Sequence, residues 1–525
     1  MKSAFHSLWL LACLLAVLLP MACSSADGSD ADSDNDEPAD DDTQSPDDDS
    51  NPVDDDSIDD DTIDDDVVDD DVADDDLSPA DWMFIRDDQG RARILRGCNF
   101  DGSAKGLSGL PQRTEQEAID LSQRWGFNFL RYLIFWARIE PEAGVYDEAY
   151  LDEVETWLDT LAELGFAVVL DMHQDVWGPY IKDQGQHSDG APEWATVTDG
   201  YPHIPFAEWF GNWGFDYLSP DVMRAFDNFW AYDRHPELQD HYGAMWAHVV
   251  ARFRDHPAVL GYDIMNEPWQ GSGLFSPFEF DQTLYSDFLE RMIGAIREED
   301  ADSWIFYEPT AFVTNQGLPN WLRVLNDPRD GPPRLAYFPH LYPVLVDLAG
   351  GYYPNVDHAI PRWERLRRRE MEQQQSPLLC GEWAMLRWLD EENARLWMIE
   401  TMSMFDRVTS GWAYWDCGFF LDTHGDDYRA LVASVYPRAI AGTPTEYRYD
   451  VESHEFTLVF DAYEGADGPT EIYLAAEREY PTGWNVESSD PAGTWNWEWD
   501  EDTSILSIWS DPNSTIHTIV VKPTD

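Results

Sequence analysis

Positive charge is scarce in this chain. Lys and Arg number 33 against 103 Asp and Glu over 525 residues, a formal net charge of −70. That balance excludes a nucleic-acid partner, because phosphate backbones are gripped by cationic side chains. Cysteine is sparse too, at five in the whole chain, which argues against a disulfide-stapled scaffold. Long apolar runs are missing: no segment beyond residue 23 reaches the ~18 uninterrupted apolar residues of a transmembrane helix, and none is expected. What is present is a 43% hydrophobic content, enough for a sizeable core, in a chain long enough for two or three domains.

The first 23 residues read as an address. Lys2 precedes an apolar run over residues 8–19, too short to span a bilayer and matched to a secretory h-region. Leu19-Pro20-Met21-Ala22-Cys23-Ser24 follows. A small residue before Cys at this place resembles a bacterial lipobox, so Cys23 is the expected lipidated N-terminus, although Pro20 and Met21 depart from the usual pattern. The alternative is secretion with cleavage near Ala22. The chain is thus expected to be exported, as a cell-surface or outer-membrane lipoprotein or otherwise as a secreted protein.

Residues 24–79 hold 26 Asp, one Glu and no Lys or Arg, leaving −44 over residues 80–525. Asp triplets recur every five residues from Asp54 to Asp76. Such a stretch cannot bury enough apolar surface to offset its ordering entropy, and its charges repel. It reads as a disordered acidic stalk, reaching at most about 190 Å at full extension. Calcium binding is the sharper alternative, but no EF-hand loop is present. Cys13 leaves with the leader and Cys23 is assigned to lipidation. Cys98, Cys380 and Cys417 then allow at most one bridge, and the sequence does not choose among them.

From residue 80 short apolar runs alternate with helical patterns. Strands are predicted at 93–99, 127–133, 167–172, 259–265, 303–307, 334–338, 377–381 and 411–415, with helices at 115–125, 151–164, 241–253, 361–374 and 393–405. Eight strands in β/α alternation predict a (β/α)8 TIM barrel over residues 80–442. After Gly442 the style changes to Thr, Tyr, Val and Trp in alternating runs, which predicts an antiparallel β-sandwich over 443–525. Trp495, Trp497 and Trp499 alternate there and are expected to share a half-buried strand face.

Reactive groups in such barrels lie at the C-terminal ends of strands. Those ends supply Arg131, then His173 and Asp175, Asn266 and Glu267, Glu308, His340 and Tyr342, Glu382, and Trp415. Two carboxylates across a barrel mouth suit acetal cleavage, which needs a proton on the leaving oxygen and stabilisation of an oxocarbenium-like centre. Glu382 is the expected nucleophile, kept ionised by Arg131 and a hydrogen bond from Tyr342. Glu267 is the expected acid and then base, with Asn266 beside it for the sugar 2-hydroxyl. Glu308 is the rival carboxylate, ranked lower because no amide precedes it. The chemistry requires no metal and no cofactor, and no obligate protein partner is expected.

Longer motifs add a resemblance. Leu170 to Trp177, Met223 to Trp230, His235-Pro236-Glu237-Leu238, Asn315-Gln316-Gly317-Leu318-Pro319, Pro339 to Pro343, Tyr436 to Pro444 and Thr470 to Leu474 resemble glycoside hydrolase family 5, and within it bacterial endoglycoceramidases. The resemblance spans residues 82–525 and leaves out the stalk. It implies a retaining endo-β-glycosidase that cuts between glycan and ceramide by double displacement, with Glu267 as acid/base and Glu382 as nucleophile. It also implies sugar binding at Lys105, Asp175, Trp194, Asn266 and Trp415, with His173, His340 and Tyr342 around them. The chain departs from the family in Cys98, in Cys380, which alternation puts on the face of Glu382, and in Trp383, where Phe is common.

An amphiphilic substrate needs an apolar path beside the sugar slot. Tyr201, Phe206, Trp209, Phe210, Trp213, Phe215 and Tyr217, with Leu274, Phe275, Phe278 and Phe280, supply candidates. They could equally pack their loops onto the barrel. The expected partners are therefore a glycolipid and the membrane surface that carries it. A related hydrolase acting on sterol glucosides or a cellulose-type β-glucan is the alternative, and an inactive glycan-binding protein a third reading that the two carboxylates do not support.

Overall fold

The computed structural model describes residues 79–181, 185, 187–311, 315, 317–343, 358–385 and 391–524. The leader, Cys23 and the acidic stalk lie outside the described residues. Among the described residues no helix is long and apolar enough to cross a membrane.

The barrel strands are β2 (Leu95–Phe100), β3 (Phe129–Ile134), β4 (Ala167–Met172), β5 (Val259–Asp263), β6 (Trp304–Tyr307), β7 (Leu335–Tyr337), β8 (Leu379–Trp383) and β9 (Gly411–Tyr414). All pair in parallel in the order β7-β6-β5-β4-β3-β2-β9-β8. Parallel bridges Tyr337–Leu378 and Leu341–Trp383 bring β7 and β8 together and close the ring. Each of the eight predicted strands is matched by one of these.

Strand alternation sorts the barrel interior into layers. Phe129, Val169, Phe306, Ala336, Phe338, Leu379 and Ala413 form an apolar plug inside the ring. Two residues further along the same faces stand Arg131 and Asp171, so a charged layer caps the plug at the C-terminal mouth. The opposite faces, with Leu130, Tyr132, Val168 and Leu170, pack under the outer helices. Those helices include Glu148–Glu163, Pro220–Trp230, Pro236–Phe253, Ser286–Glu299, Ala359–Gln374 and Glu391–Val408. Pro at the first turn of Pro220–Trp230 and Pro236–Phe253 costs no intrahelical hydrogen bond there.

Alternation fails at one place, and the site depends on it. Cys380 pairs with Trp412 and Trp383 with Tyr414, so Gly381 and Glu382 together oppose Ala413 alone. This β-bulge re-aims the strand. Cys380 joins the layer beneath the helices, whereas Glu382 turns inward. The expectation that Cys380 shares the face of Glu382 is therefore corrected: the bulge shifts the parity between them. Trp383 also faces outward, edge-on to Phe405, Trp412 and Tyr414. Cys98 on β2 is bonded to Cys417, with Cα atoms 5.3 Å apart, and Cys380 is free and buried.

The sandwich has two antiparallel sheets. One runs β1 (Ala92–Arg93), β10 (Tyr436–Ile440), β13 (Thr470–Tyr473), β16 (Ile505–Trp509), β15 (Asn496–Asp500). The other runs β11 (Thr443–Asp450), β12 (Glu455–Asp461), β17 (Ile516–Pro523), β14 (Trp484–Ser488). Their inner faces meet through Phe456, Leu458, Phe460, Ile472, Leu506, Ile519 and Val521. The sandwich thus starts before the expected join at Gly442: β10 belongs to it, and so does β1, which precedes the barrel. Trp495 and Trp499 pack against this core, while Trp497 is largely exposed and leans on Trp484.

Candidate active site

Arg131 is the hub of the charged layer and is fully buried. Its Nη1 donates to Glu382 at 2.8 Å and to Asn99 at 3.0 Å. Its Nη2 reaches Asp171 and Asp263 at 2.9 Å, Glu308 at 2.8 Å and the side-chain oxygen Oδ1 of Asn266 at 2.9 Å. One guanidinium facing four carboxylates cannot neutralise all of them in a dry interior, so protons must be retained. Burial accordingly raises Asp171, Asp263 and Glu382 above the ordinary carboxylate range and pushes Glu308 up to about 8.

The two expected catalytic carboxylates converge. An oxygen of Glu267, one of Glu382 and a ring nitrogen of His340 lie within 4.8 Å of one another. That spacing falls with the ~5–5.5 Å of retaining glycosidases rather than the 6.5–9.5 Å of inverting ones. Tyr342 donates its hydroxyl to Glu382 at 3.0 Å. Its own ionisation is pushed well up by burial and by both glutamates, so the phenol keeps its proton as a donor. His340 Nδ1 lies 3.0 Å from Glu267 Oε1, and the Asn315 amide donates to the same oxygen at 2.7 Å.

The charges of the substrate-free site run against the expected division of labour. Burial would raise Glu267, but the hydrogen bond and charge of His340, with the Asn315 amide, hold it below its ordinary value. Burial raises Glu382 despite His340 and Arg131. His340 itself would be lowered by burial, yet Glu308, Glu382 and Glu267 lift it well above a free imidazole.

The main chain at Glu267 adopts φ +41°, a left-handed conformation uncommon for a side chain of this size. Its N–H is accepted by Glu308 Oε2 at 2.9 Å, and the Gln174 amide donates to the carbonyls of Asn266 and Glu267, both at 2.9 Å. The Asn266 amide donates to the Gln174 carbonyl at 2.9 Å and lies 3.5 Å from His173 Nε2.

A second cluster borders the pair. Lys105 hydrogen-bonds Asp175, lies 3.8 Å from Asp189 and stands 4.5 Å from the centre of the Trp415 ring. His173 stacks on that ring, and its Nδ1 lies at hydrogen-bond distance, 2.6 Å, from Asp171 Oδ2. Burial, with the charges of Lys105, Arg131 and His340, keeps His173 neutral. Trp194 stands apart from these contacts. Its indole donates to the Glu140 carbonyl at 3.0 Å and packs edge-on to Trp136 and His241.

Asn99, Asp171, Asp189, Asp263, Gln174 and Asn315 belong to this network but not to the sequence expectation. Asp171 and Asp263 carried a usable signal: each is a lone carboxylate inside a buried apolar strand, and such a group needs a buried cation. Asn315 entered only as part of the motif from Asn315 to Pro319, with no chemical role attached to it.

The aromatic loops divide. Phe215, Tyr217, Leu274 and Phe280 are buried and pack their loops. Tyr201, Trp209, Trp213, Phe275 and Phe278 are more than half exposed. Of the twelve exposed large hydrophobic side chains among the described residues, nine lie between the C-terminal ends of β2 to β5 and the helices that begin at Glu115, Glu148, Pro220 and Ser286. Exposed apolar surface therefore concentrates around the barrel mouth.

Comparison with known proteins agrees with this architecture. Residues 94–420 match the family model of the cellulases, glycosyl hydrolase family 5, and residues 435–521 match the glycoside hydrolase family 5 C-terminal domain. Endoglycoceramidase I of Rhodococcus hoagii (strain 103S) is 29% identical over 434 residues, covering 78% of this chain and 81% of that protein. Endoglycoceramidase of Hydra vulgaris is 24% identical, covering 78% and 82%. The solved structure of endo-glycoceramidase II from Rhodococcus sp. in complex with ganglioside GM3 superposes with a TM-score of 0.76 at 34% identity, covering 84% of this chain and 99% of that one. A lactosyl-enzyme intermediate of the same enzyme superposes at 0.75.

Proposed function

The chain belongs to glycosyl hydrolase family 5, and from that premise we propose that it cleaves the β-linkage between glycan and ceramide in glycosphingolipids, with retention of configuration. The observation that carries the chemistry is the convergence of Glu267 and Glu382 within 4.8 Å under the donors Arg131 and Tyr342. Glu382 attacks the anomeric carbon while Glu267 protonates the departing ceramide oxygen. The resulting glycosyl–Glu382 ester is opened by water that Glu267 deprotonates. Sugar binding excludes water from the site, which pushes both carboxyls upward. Arg131 and Tyr342 restrain that rise at Glu382, so Glu267 is the carboxyl left to carry the proton. Lys105, Asp175, His173, Asn266 and Trp415 form the wall for the sugar, and Trp194 a more distant edge.

The lipid half of the substrate is supported by the exposed aromatics at the mouth. Large exposed apolar patches on soluble proteins mark partner or membrane surfaces, and here they ring the entrance through which a ceramide must pass. Attachment to a membrane through Cys23, with residues 24–78 as tether, would hold the mouth near such lipids. Metabolic labelling with a fatty acid tests this: label lost in Cys23→Ala supports it, and an unlabelled wild-type protein overturns it.

The decisive experiment is incubation with lactosylceramide, glucosylceramide, a sterol β-glucoside and cello-oligosaccharides. Release of intact lactose with the β-anomer formed first supports the proposal. Cleavage of the sterol or oligosaccharide substrates alone, or an α-anomer first, overturns it.

A further inference from the structure

Glu308 takes no direct part in the two-carboxylate chemistry, yet it touches the acid/base from two directions. It follows β6 and is 2% exposed. One oxygen accepts from Arg131 at 2.8 Å and lies 3.2 Å from His340 Nε2. The other accepts the main-chain N–H of Glu267 at 2.9 Å. The opposite nitrogen of His340, Nδ1, stands 3.0 Å from the Glu267 carboxylate. Glu308 therefore acts on Glu267 twice, through a hydrogen bond to its backbone and through an ion-pair contact with the imidazole beside it.

The backbone hold matters because of where Glu267 sits in conformational space. At φ +41° a glutamate persists only when its surroundings fix it. The imidazole hold matters because His340 lies between the two carboxylates, and its orientation decides which oxygen of Glu267 is free to face a leaving group. Glu382 depends less on Glu308: its hydrogen bonds come from Arg131 and Tyr342, its approach to His340 is longer, at 3.8 Å, and Arg131 keeps Asp171 and Asp263 at 2.9 Å as counterions.

We propose that Glu308 is a positioning residue for the acid/base half of the reaction, setting the main-chain turn of Glu267 and the seat of His340 without meeting the substrate. The groups facing Glu308 are Arg131, Asp263, His340 and the Glu267 N–H, with Asp171, Tyr285 and Cys380 close enough to act on it electrostatically. Burial among them pushes its carboxyl up to about 8, so its charge state is poised to change across neutral pH. The proposal rests on the glycosidase reading but not on the lipid substrate.

The test uses the full chain and aryl β-lactosides with leaving groups from dinitrophenol to phenol. A dinitrophenolate leaves without protonation, whereas a phenolate needs the acid. Glu308→Ala should lose about 100-fold in kcat/KM on the phenyl lactoside and less than about tenfold on the dinitrophenyl lactoside. Glu308→Gln keeps an oxygen for the Glu267 N–H and should recover at least tenfold of the loss. It should also move the alkaline limb of the pH profile, because it cannot ionise. Equal losses on both lactosides would place Glu308 with the nucleophile or with stability, and would overturn the proposal. Should Glu308→Ala fail to fold, Glu308→Gln alone decides: a steeper dependence on leaving-group pKa than wild type supports the proposal, and an unchanged slope overturns it. Failure of the substrate reading appears separately, as aryl lactoside turnover without glycolipid cleavage.

Discussion

Gly381 leaves its side-chain space to His340: a Cβ placed on Gly381 would stand 2.8 Å from His340 Nε2 and 3.2 Å from the Phe338 carbonyl. Gly381 is also half of the bulge that turns Glu382 inward, so one small residue serves both the nucleophile and its neighbouring imidazole. Gly381→Ala should displace His340 from Glu267. We expect kcat to fall about 10–100-fold, with the thermal midpoint nearly unchanged, measured by steady-state kinetics and a melt.

Glu382→Gln should abolish turnover, by about a thousandfold or more, while leaving the melt intact. Glu267→Ala should lose about 10²–10⁴-fold on unactivated substrates. Azide should restore turnover of dinitrophenyl lactoside by Glu267→Ala and yield a β-lactosyl azide identifiable by NMR. An α-azide, or azide rescue of Glu382→Gln with the β-product, would exchange or refute the two roles.

His340→Gln should move the whole pH profile of kcat/KM upward. The sign follows from the direction of each shift. His340 lowers both Glu267 and Glu382, so removing its charge raises both carboxyls. The alkaline limb, set by loss of the acid proton, and the acidic limb, set by protonation of the nucleophile, should both move to higher pH. Glu308, Arg131 and Tyr342 remain facing the pair in the variant. Lactoside kinetics between pH 4 and 9 would measure both limbs.

Cys98→Ser should lower stability by about 2–5 kcal/mol, because the bond to Cys417 closes a segment of 319 residues. A reducing agent should reproduce the loss in the wild type and change nothing in Cys98→Ser. Differential scanning calorimetry with and without dithiothreitol checks both.

The sequence made the barrel legible because its strands are buried on both faces and punctuated by helices, so existence and order follow from pattern. The pairing of Glu267 with Glu382 was legible for the same reason, since strand ends are where such a fold exposes chemistry. The orientation of Cys380 was not, because a bulge costs no recognisable residue beyond a glycine and inverts parity. The bond between Cys98 and Cys417 was invisible because proximity arises only when the ring closes, bringing β2 beside β9. The hydrogen bond of Glu308 to the Glu267 backbone N–H leaves no trace in residue spacing. The start of the sandwich was misplaced because β1 is two residues long, too short for any periodicity.

That two-residue strand has a consequence for how the protein is inherited and cut. Ala92 and Arg93 pair with Ile440 and Ala439, so the polypeptide passes through the sandwich both on its way into the barrel and on its way out. The Tyr436 and Tyr473 hydroxyls then donate to the Gly126 and Arg124 carbonyls of the barrel. A terminal module of this kind is a clasp rather than an appendage. Evolution cannot swap it as a cassette without also rewriting Ala92 and Arg93 ahead of the barrel, and a stop codon after residue 434 would strip those two residues of their β10 partner.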